Sequence, residues 1–191
     1  MRILHSRRGR LLLVVFVLVI LVVVATQSGW LRKGTKVAQI NQPGLYSIAK
    51  FVDGDTIAVN MNGAVETIRF VGVDTPETHK PNTPVQCYGE LAAAYTKQLI
   101  GDNRVRLQAD ALDTNRDRYG RLLRYVYLPD GTLVEDKLIK NGYGFAYTLF
   151  PFEKVDQFKA DQEAAKAAHV GLWAHCQITN DSGAFHTTPA Q

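Results

Sequence analysis

The sequence predicts a small α+β domain of five short strands and three helices. Three observations point there: β-branched and aromatic residues in short runs bounded by turn signals, three stretches with apolar residues at helical spacing, and an ordinary globular composition. The chain has 191 residues, 46 % apolar and 21 % charged, which is about one domain's worth and argues against global disorder. No internal repeat with a period of roughly twenty to fifty residues is visible.

The first strands are expected at Tyr46–Phe51 and Thr56–Met61. Asn62-Gly63 then supplies the two positive-φ positions of a tight hairpin turn, and Val65–Val73 returns as the third strand. Strands four and five are expected at Arg104–Ala109 and Arg121–Leu128, the latter ending at the Pro129-Asp130-Gly131 turn. In the first helix Leu91, Tyr95 and Leu99 recur at four-residue spacing before Gly101 closes it. Thr132 and Glu135 form a capping-box pattern for the second, whose Leu138 and Ile139 face the core before Asn141-Gly142. The third covers roughly Glu153–His169 and stops at Gly171. Five short strands interleaved in this way suit a partly open five-stranded β-barrel of the OB type, spanning residues 45–176.

Ahead of that domain the chain has a different character. Arg2, Arg7, Arg8 and Arg10, within a basic segment 1–10, precede Leu11–Ala25, fifteen consecutive residues without a polar side chain. As a helix these rise ~22 Å at ~1.5 Å each, and continuing to Leu31 would reach across a ~30 Å hydrocarbon core, with Trp30 at the outer interface. Residues 11–31 therefore read as an N-terminal hydrophobic helix, either a retained single-pass anchor or a cleaved signal peptide. Both alternatives place the rest of the chain outside the cytoplasm. Residues 32–44 read as a polar linker, and residues 177–191 as a disordered polar tail.

The formal charge of +4 does not mark a nucleic-acid-binding domain. Four of the 22 basic residues and none of the 18 acidic ones lie before residue 26, so the remainder is neutral and only local charge can argue for a partner. Cys87 and Cys176 are an even count in an exported chain, which permits one disulfide closing a loop of roughly ninety residues, a bridge contributing about 4 kcal/mol if formed. Two thiols left unpaired is the other reading. The cysteines have no nearby histidine pair with which to make a structural zinc site, and His79, His169 and His175 lack ligand spacing. Trp173 reads as a core anchor for the C-terminal helix.

The chemistry concentrates in three stretches. Asp53-Gly54-Asp55-Thr56 and Asp74-Thr75-Pro76-Glu77-Thr78 each place two carboxylates at the end of a strand. Strand alternation puts Arg69 on a face with Val71 and Val73, where its guanidinium needs an anionic partner, Glu77 or a bound phosphate. Arg116-Asp117-Arg118-Tyr119-Gly120-Arg121 lies in a segment from Arg104 to Arg124 with six arginines against Asp110, Asp113 and Asp117. Arginine's planar fork can hold two phosphate oxygens together. These are the parts of a phosphodiester hydrolase: aspartates for a hard cation, a carboxylate to take a proton from water, and arginines to neutralise a phosphorane-like transition state.

In these motifs, and in Tyr88-Gly89, Ala146-Tyr147 with Pro151, and Gly171-Leu172-Trp173, the sequence resembles the staphylococcal nuclease family over about residues 45–176. The resemblance implies an OB-fold endonuclease, a monomer with DNA and RNA as substrates, that uses Ca²⁺ and leaves 3′-phosphates. It implies that Asp55 and Asp74 ligate calcium through carboxylates and Thr75 through its carbonyl. Glu77 orients or deprotonates the attacking water, Arg69 and Arg121 grip the scissile phosphate, Arg118 and Tyr119 contact a terminal phosphate, and Tyr147 packs against a base. Two departures stand out: Leu149 occupies the position of a second tyrosine, and the loop His79–Gln86 is less basic than the family's usual version. The competing expectation is a catalytically silent OB-fold module that binds nucleic acid without cutting it. Retention of Asp55, Asp74, Glu77, Arg69 and Arg121 favours the enzyme.

Overall fold

Three antiparallel ladders and one parallel pairing build the main sheet. The computed structural model describes residues 44–78 and 84–190, all within the compact unit Ala38–Gln191. Strands β1 (Ile48–Asp53), β2 (Thr56–Met61), β3 (Ala64–Phe70), β5 (Arg106–Gln108) and β6 (Leu122–Tyr127) form one mixed sheet in the order β1-β2-β3-β6-β5. The two-residue turn forms as its sequence dictates, with Asn62 and Gly63 both at positive φ and Met61 facing Ala64. β3 then runs parallel to β6, pairing Ile68 with Leu122 and Phe70 with Arg124.

The sheet is not a closed barrel. β5 is three residues long, and among the described residues the two edges are bridged where Tyr46 and Val105 exchange hydrogen bonds of 2.8 Å in both directions. The architecture is α+β, and the described residues hold four helices where three were expected: α1 (Gly89–Ile100), α2 (Val134–Lys140), α3 (Val155–Ala167) and the short α4 (Leu172–His175). Ile57, Val59, Ile68, Phe70, Leu107, Leu122 and Val126 of the sheet, with Leu138 and Ile139 of α2 and Phe158 of α3, form the core.

The expected third strand is broken. It divides into β3 and a two-residue β4 (Val73–Asp74), which leaves the main sheet and pairs with β7 (Phe145–Ala146). The cause sits at Gly72, whose φ is +71° and whose missing Cβ would come within 2.6 Å of the Phe152 ring. Simple alternation therefore stops short of Val73, and the chain swings Asp74 toward the β1–β2 turn.

α1 is rotated by one residue from the face expected of it. Leu91 is 53 % exposed, while Gly89, Ala92, Thr96 and Ile100 are buried. Small side chains at 92 and 96 let the helix approach closely, and the Thr96 hydroxyl donates to Gly54 O. The capping box expected of α2 does not form. Both Glu135 carboxylate oxygens accept instead from Val126 N, at 3.0 and 3.2 Å in the core, and Asp130 takes the Thr132 amide.

The tail is ordered where disorder was expected: β8 (Ile178–Asp181) and β9 (Ala184–Thr187) form a hairpin. Cys87 and Cys176 are bonded, with Cα atoms 5.8 Å apart. Trp173 packs edge-on to Phe145 and Phe185, with ring centroids at 5.4 and 6.0 Å. Among the described residues no helix is long and apolar enough to cross a membrane. The basic segment, the hydrophobic helix, most of the linker and part of the loop from His79 lie outside the described residues.

Candidate functional site

Two chain reversals bring the acidic motifs together. Asp53 ends β1 and Asp55 stands just before β2, so Asp53-Gly54-Asp55 is the tight turn between them. Gly54 packs against Thr75 so closely that a Cβ there would lie 2.7 Å from the Thr75 hydroxyl. Asp55 Oδ2 accepts from Thr75 N at 2.8 Å and from Thr75 Oγ1 at 3.1 Å, while its Oδ1 takes the Thr56 hydroxyl at 2.9 Å. The β1–β2 turn and the segment after β4 are thus joined through one buried carboxylate.

Arg69 closes the other side. Its Nη2 pairs with Asp74 at 2.6 Å and Asp55 at 3.2 Å, and its Nη1 donates to the carbonyls of Phe70 and Val73, at 3.0 and 2.6 Å, on either side of the break at Gly72. The anionic partners therefore include Asp74 and Asp55, beyond the Glu77 or phosphate the sequence offered. The break that moved Asp74 also freed the carbonyls that this guanidinium satisfies. Burial alone would lower the Arg69 pKa, but Asp55, Asp74 and Glu77 outweigh it and the pKa is raised. Desolvation pushes the Asp74 carboxyl up to about 7, with Arg69 opposing and Asp55, Glu77 and Asp53 reinforcing.

Glu77 sits one turn further on. Its backbone is bracketed by Gln86, whose Oε1 accepts from Glu77 N at 2.8 Å and whose N donates to Glu77 O at 2.9 Å. α1 begins beside it, for a Cβ on Gly89 would meet Glu77 O at 2.8 Å. Tyr147 follows β7, donates its amide to Gly72 O at 2.8 Å, and its phenol contributes to the field at Arg69. Asp55, Arg69, Asp74, Thr75, Glu77 and Tyr147 therefore share one locale.

Arg121 approaches from β6. It lies two residues before Leu123, the register partner of Arg69, and so on the same sheet face. Asp117 fixes it, accepting Arg121 Nε at 2.6 Å and Arg121 N at 2.9 Å. These contacts overcome the effect of burial and hold Asp117 below the usual carboxylate range. With Nε committed, the guanidinium presents its Nη edge. Arg118 and Tyr119 stand on the exposed turn, with Arg118 Nη2 donating to the Tyr119 hydroxyl at 2.7 Å and the Arg121 guanidinium 5.4 Å from the Tyr119 ring centre.

The arginine-rich segment is less positive than its count implies. Arg116 pairs with Glu66 at 3.0 Å, Arg106 lies 4.0 Å from the Tyr127 ring centre, and Arg124 is buried, donating to Leu123 O and Asn115 Oδ1. Three of the six arginines thus hold structure, which the spacing gave no means to foresee. Sequence reasoning also passed over Gln86 and Phe150. Phe150 is 60 % exposed with its ring 6.0 Å from that of Tyr147, next to the Leu149 that replaces the family's tyrosine. A phenylalanine one residue off the expected position reads as core, and no periodic signal corrects that.

The donor chemistry can be tested against a metal. Asp55, Asp74 and the Thr75 carbonyl offer only hard oxygens, and Asp53, Asp55 and Glu77 all act on Asp74 against the single guanidinium of Arg69. A hard divalent cation such as Ca²⁺ fits that set. Among the described residues no three acidic, histidine or cysteine side chains converge on one point, so water and substrate oxygens would complete the shell.

An open α+β sheet thus carries the paired carboxylates, Arg69 and Tyr147 together. The chain belongs to the staphylococcal nuclease homologue family, which matches residues 67–175. It is 44 % identical over 139 residues to the SPbeta prophage-derived endonuclease YokF of Bacillus subtilis, covering 72 % of this chain and 46 % of that protein, so it spans about half that relative's length. It is 42 % identical to endonuclease YncB of the same organism, over 75 % of this chain and 69 % of the relative. To the thermonuclease of Staphylococcus hyicus it is 34 % identical, over 87 % of this chain and 96 % of the relative.

Proposed function

We propose that the protein is an exported, Ca²⁺-dependent endonuclease that hydrolyses DNA and RNA with little sequence preference and leaves 3′-phosphates. The observation that supports this most is the Asp55–Arg69–Asp74 arrangement, in which two carboxylates compete for one guanidinium nitrogen within reach of Glu77's field. The bonded cysteines favour an oxidising compartment.

Asp55, Asp74 and the Thr75 carbonyl would hold the cation. When bound it supplies Lewis-acid polarisation of a phosphate oxygen. Arg69 Nη2, which spans Asp55 and Asp74 in this structure, is then the donor released toward phosphate. Glu77 takes a proton from water as the water oxygen bonds to phosphorus and the bond to the 5′-oxygen breaks, that oxygen leaving on the neighbouring nucleotide and taking a proton from solvent to become its hydroxyl. Arg69 and the Nη edge of Arg121 neutralise the charge gathering on the equatorial oxygens. Arg118 and Tyr119 bind a neighbouring phosphate. Tyr147 stacks on a base, with Phe150 as a second platform, and stacking is indifferent to base identity.

The test is cleavage of single- and double-stranded DNA and of RNA, with millimolar Ca²⁺ and with a chelator, for the wild type and Glu77→Gln, with product ends identified. Ca²⁺-dependent cutting to 3′-phosphates, reduced about 10²–10⁴-fold in the variant, is expected for loss of a general base. Full turnover in Glu77→Gln would remove the base assignment, and folded, Ca²⁺-binding protein that does not cut would leave a nucleic-acid-binding module.

A further inference from the structure

The family match ends at residue 175, yet the chain continues into the β8–β9 hairpin, and that hairpin returns to the loop that carries Glu77. Cys87 N donates to Thr188 O at 2.8 Å, the Thr187 hydroxyl donates to Cys87 O at 2.8 Å, and Ala190 N donates to Val85 O at 2.9 Å. The Cys87–Cys176 bond ties the same short segment to the base of the hairpin. In the middle of the segment stands Gln86, bridged to Pro189 and holding both backbone polar groups of Glu77. The other end of the hairpin reaches the opposite side of the site. Gly183 lies against Leu149, where a Cβ would meet Cδ2 at 3.4 Å, and Phe185 stacks on Phe145, the register partner of Asp74, at 5.6 Å.

We propose that the C-terminal hairpin and the Cys87–Cys176 bond form a strap that positions Glu77, acting through Gln86. Gln86 is a positioning residue in this scheme, not a catalytic one, because its contacts are with the Glu77 backbone. A general base must hold its place relative to water and phosphorus within a fraction of an ångström, and a misplacement of about 1 Å can cost about 10²-fold in rate. A strand bridge, a hydroxyl contact and a disulfide on residues 85–87 supply that rigidity from outside the family's matched region.

This rests on the reading of Glu77 as the base, and the experiment separates the two. In the full chain, Gln86→Ala, Gln86→Glu, Thr187→Val and the pair Cys87→Ser/Cys176→Ser are compared with the wild type for kcat, KM, and hydrogen exchange of the Glu77 amide. Each is made also in Glu77→Gln. Gln86→Ala and the cysteine pair are expected to lower kcat about 10–100-fold with little change in KM, and to speed exchange at Glu77. Thr187→Val, losing one bond, should do the same more weakly, and Gln86→Glu, which keeps an acceptor oxygen, should restore most of both. In Glu77→Gln the kcat losses should vanish. Unchanged kcat and exchange in Gln86→Ala, or kcat losses that persist at full size in Glu77→Gln, would overturn the strap. Wild-type turnover in Glu77→Gln alone would overturn the base reading, and Glu77 exchange would then decide the strap by itself.

Discussion

Asp55 Oδ2 and Thr75 N, twenty residues apart, lie 2.8 Å from one another in a place almost closed to water. The same carboxylate that would hold a cation therefore also splices the two acidic loops together. Asp55→Ala leaves the Thr75 amide without an acceptor, and should lower the free energy of unfolding by about 1–3 kcal/mol. Asp55→Asn keeps an oxygen for that amide and should cost less than about 1 kcal/mol. Urea unfolding of the two variants checks this, and both should be nearly inactive. Equal destabilisation by Asn and Ala would mean that charge, not the hydrogen bond, joins the loops.

Asp74 gives the site a pH signature. Its carboxyl titrates near 3.8 when unfolded and at about 7 in the folded, metal-free protein. Between those values the folded state binds a proton the unfolded state has lost, so this group's contribution to stability falls as pH rises from about 4 to about 7. Ca²⁺ requires the charged carboxylate, so its binding should release protons in this range and its effect on Tm should be larger at pH 8 than at pH 5. Melting curves with and without Ca²⁺ at the two pH values test this. An equal Ca²⁺ shift at both, or one unchanged in Asp74→Asn, would contradict it.

Much of this was legible in residue order. Asn62-Gly63 fixed a turn because both positions need positive φ, and the motifs around Asp55, Asp74 and Glu77, each an ordinary turn or helix start alone, gained weight from an Arg69 that needed an anionic partner and has Asp55 and Asp74 against it. What escaped was decided by distant neighbours. Gly72 looks like any strand glycine until the Phe152 ring, eighty residues on, occupies the place of its Cβ, and without that break Asp74 would not reach Arg69. Ala92 and Thr96 were chosen over Leu91 as the buried face because α1 lies close to Gly54. Glu135 has the spacing of a capping residue, but the Val126 amide claims it in the core. The hairpin at 178–187 has polar strands and gains its order from Phe145, Trp173 and residues 85–87, none of which a local pattern reveals.

Under the proposed function, Phe150 takes the stacking role of the tyrosine whose position Leu149 occupies. Its exposed ring beside Tyr147 has no other aromatic neighbour among the described contacts, and base stacking on one aromatic ring is worth about 1–3 kcal/mol. Phe150→Ala should raise KM for single-stranded DNA by about tenfold or more with kcat little changed, and Phe150→Tyr should be close to wild type. Steady-state kinetics decide it. An unchanged KM in Phe150→Ala would leave Tyr147 as the sole platform.

Arg121 is held by Asp117 at Nε, and under the proposed function that contact leaves the Nη edge of the guanidinium for phosphate. Lysine at 121 would keep the charge and lose the fork, offering a single ammonium that cannot hold the Asp117 carboxylate and span two phosphate oxygens together. Arg121→Lys should therefore lower kcat about 10²–10³-fold, the usual consequence of removing a donor aimed at transition-state charge. Asp117→Asn should fall between it and the wild type, since the amide oxygen can still accept from one nitrogen while the ion pair is gone. Single-turnover rates at saturating substrate distinguish chemistry from binding for both variants. Near-wild-type rates in Arg121→Lys would show that only charge is needed at this position, and a fully active Asp117→Asn would show that the Nη edge is oriented by substrate and not by the Asp117 clamp.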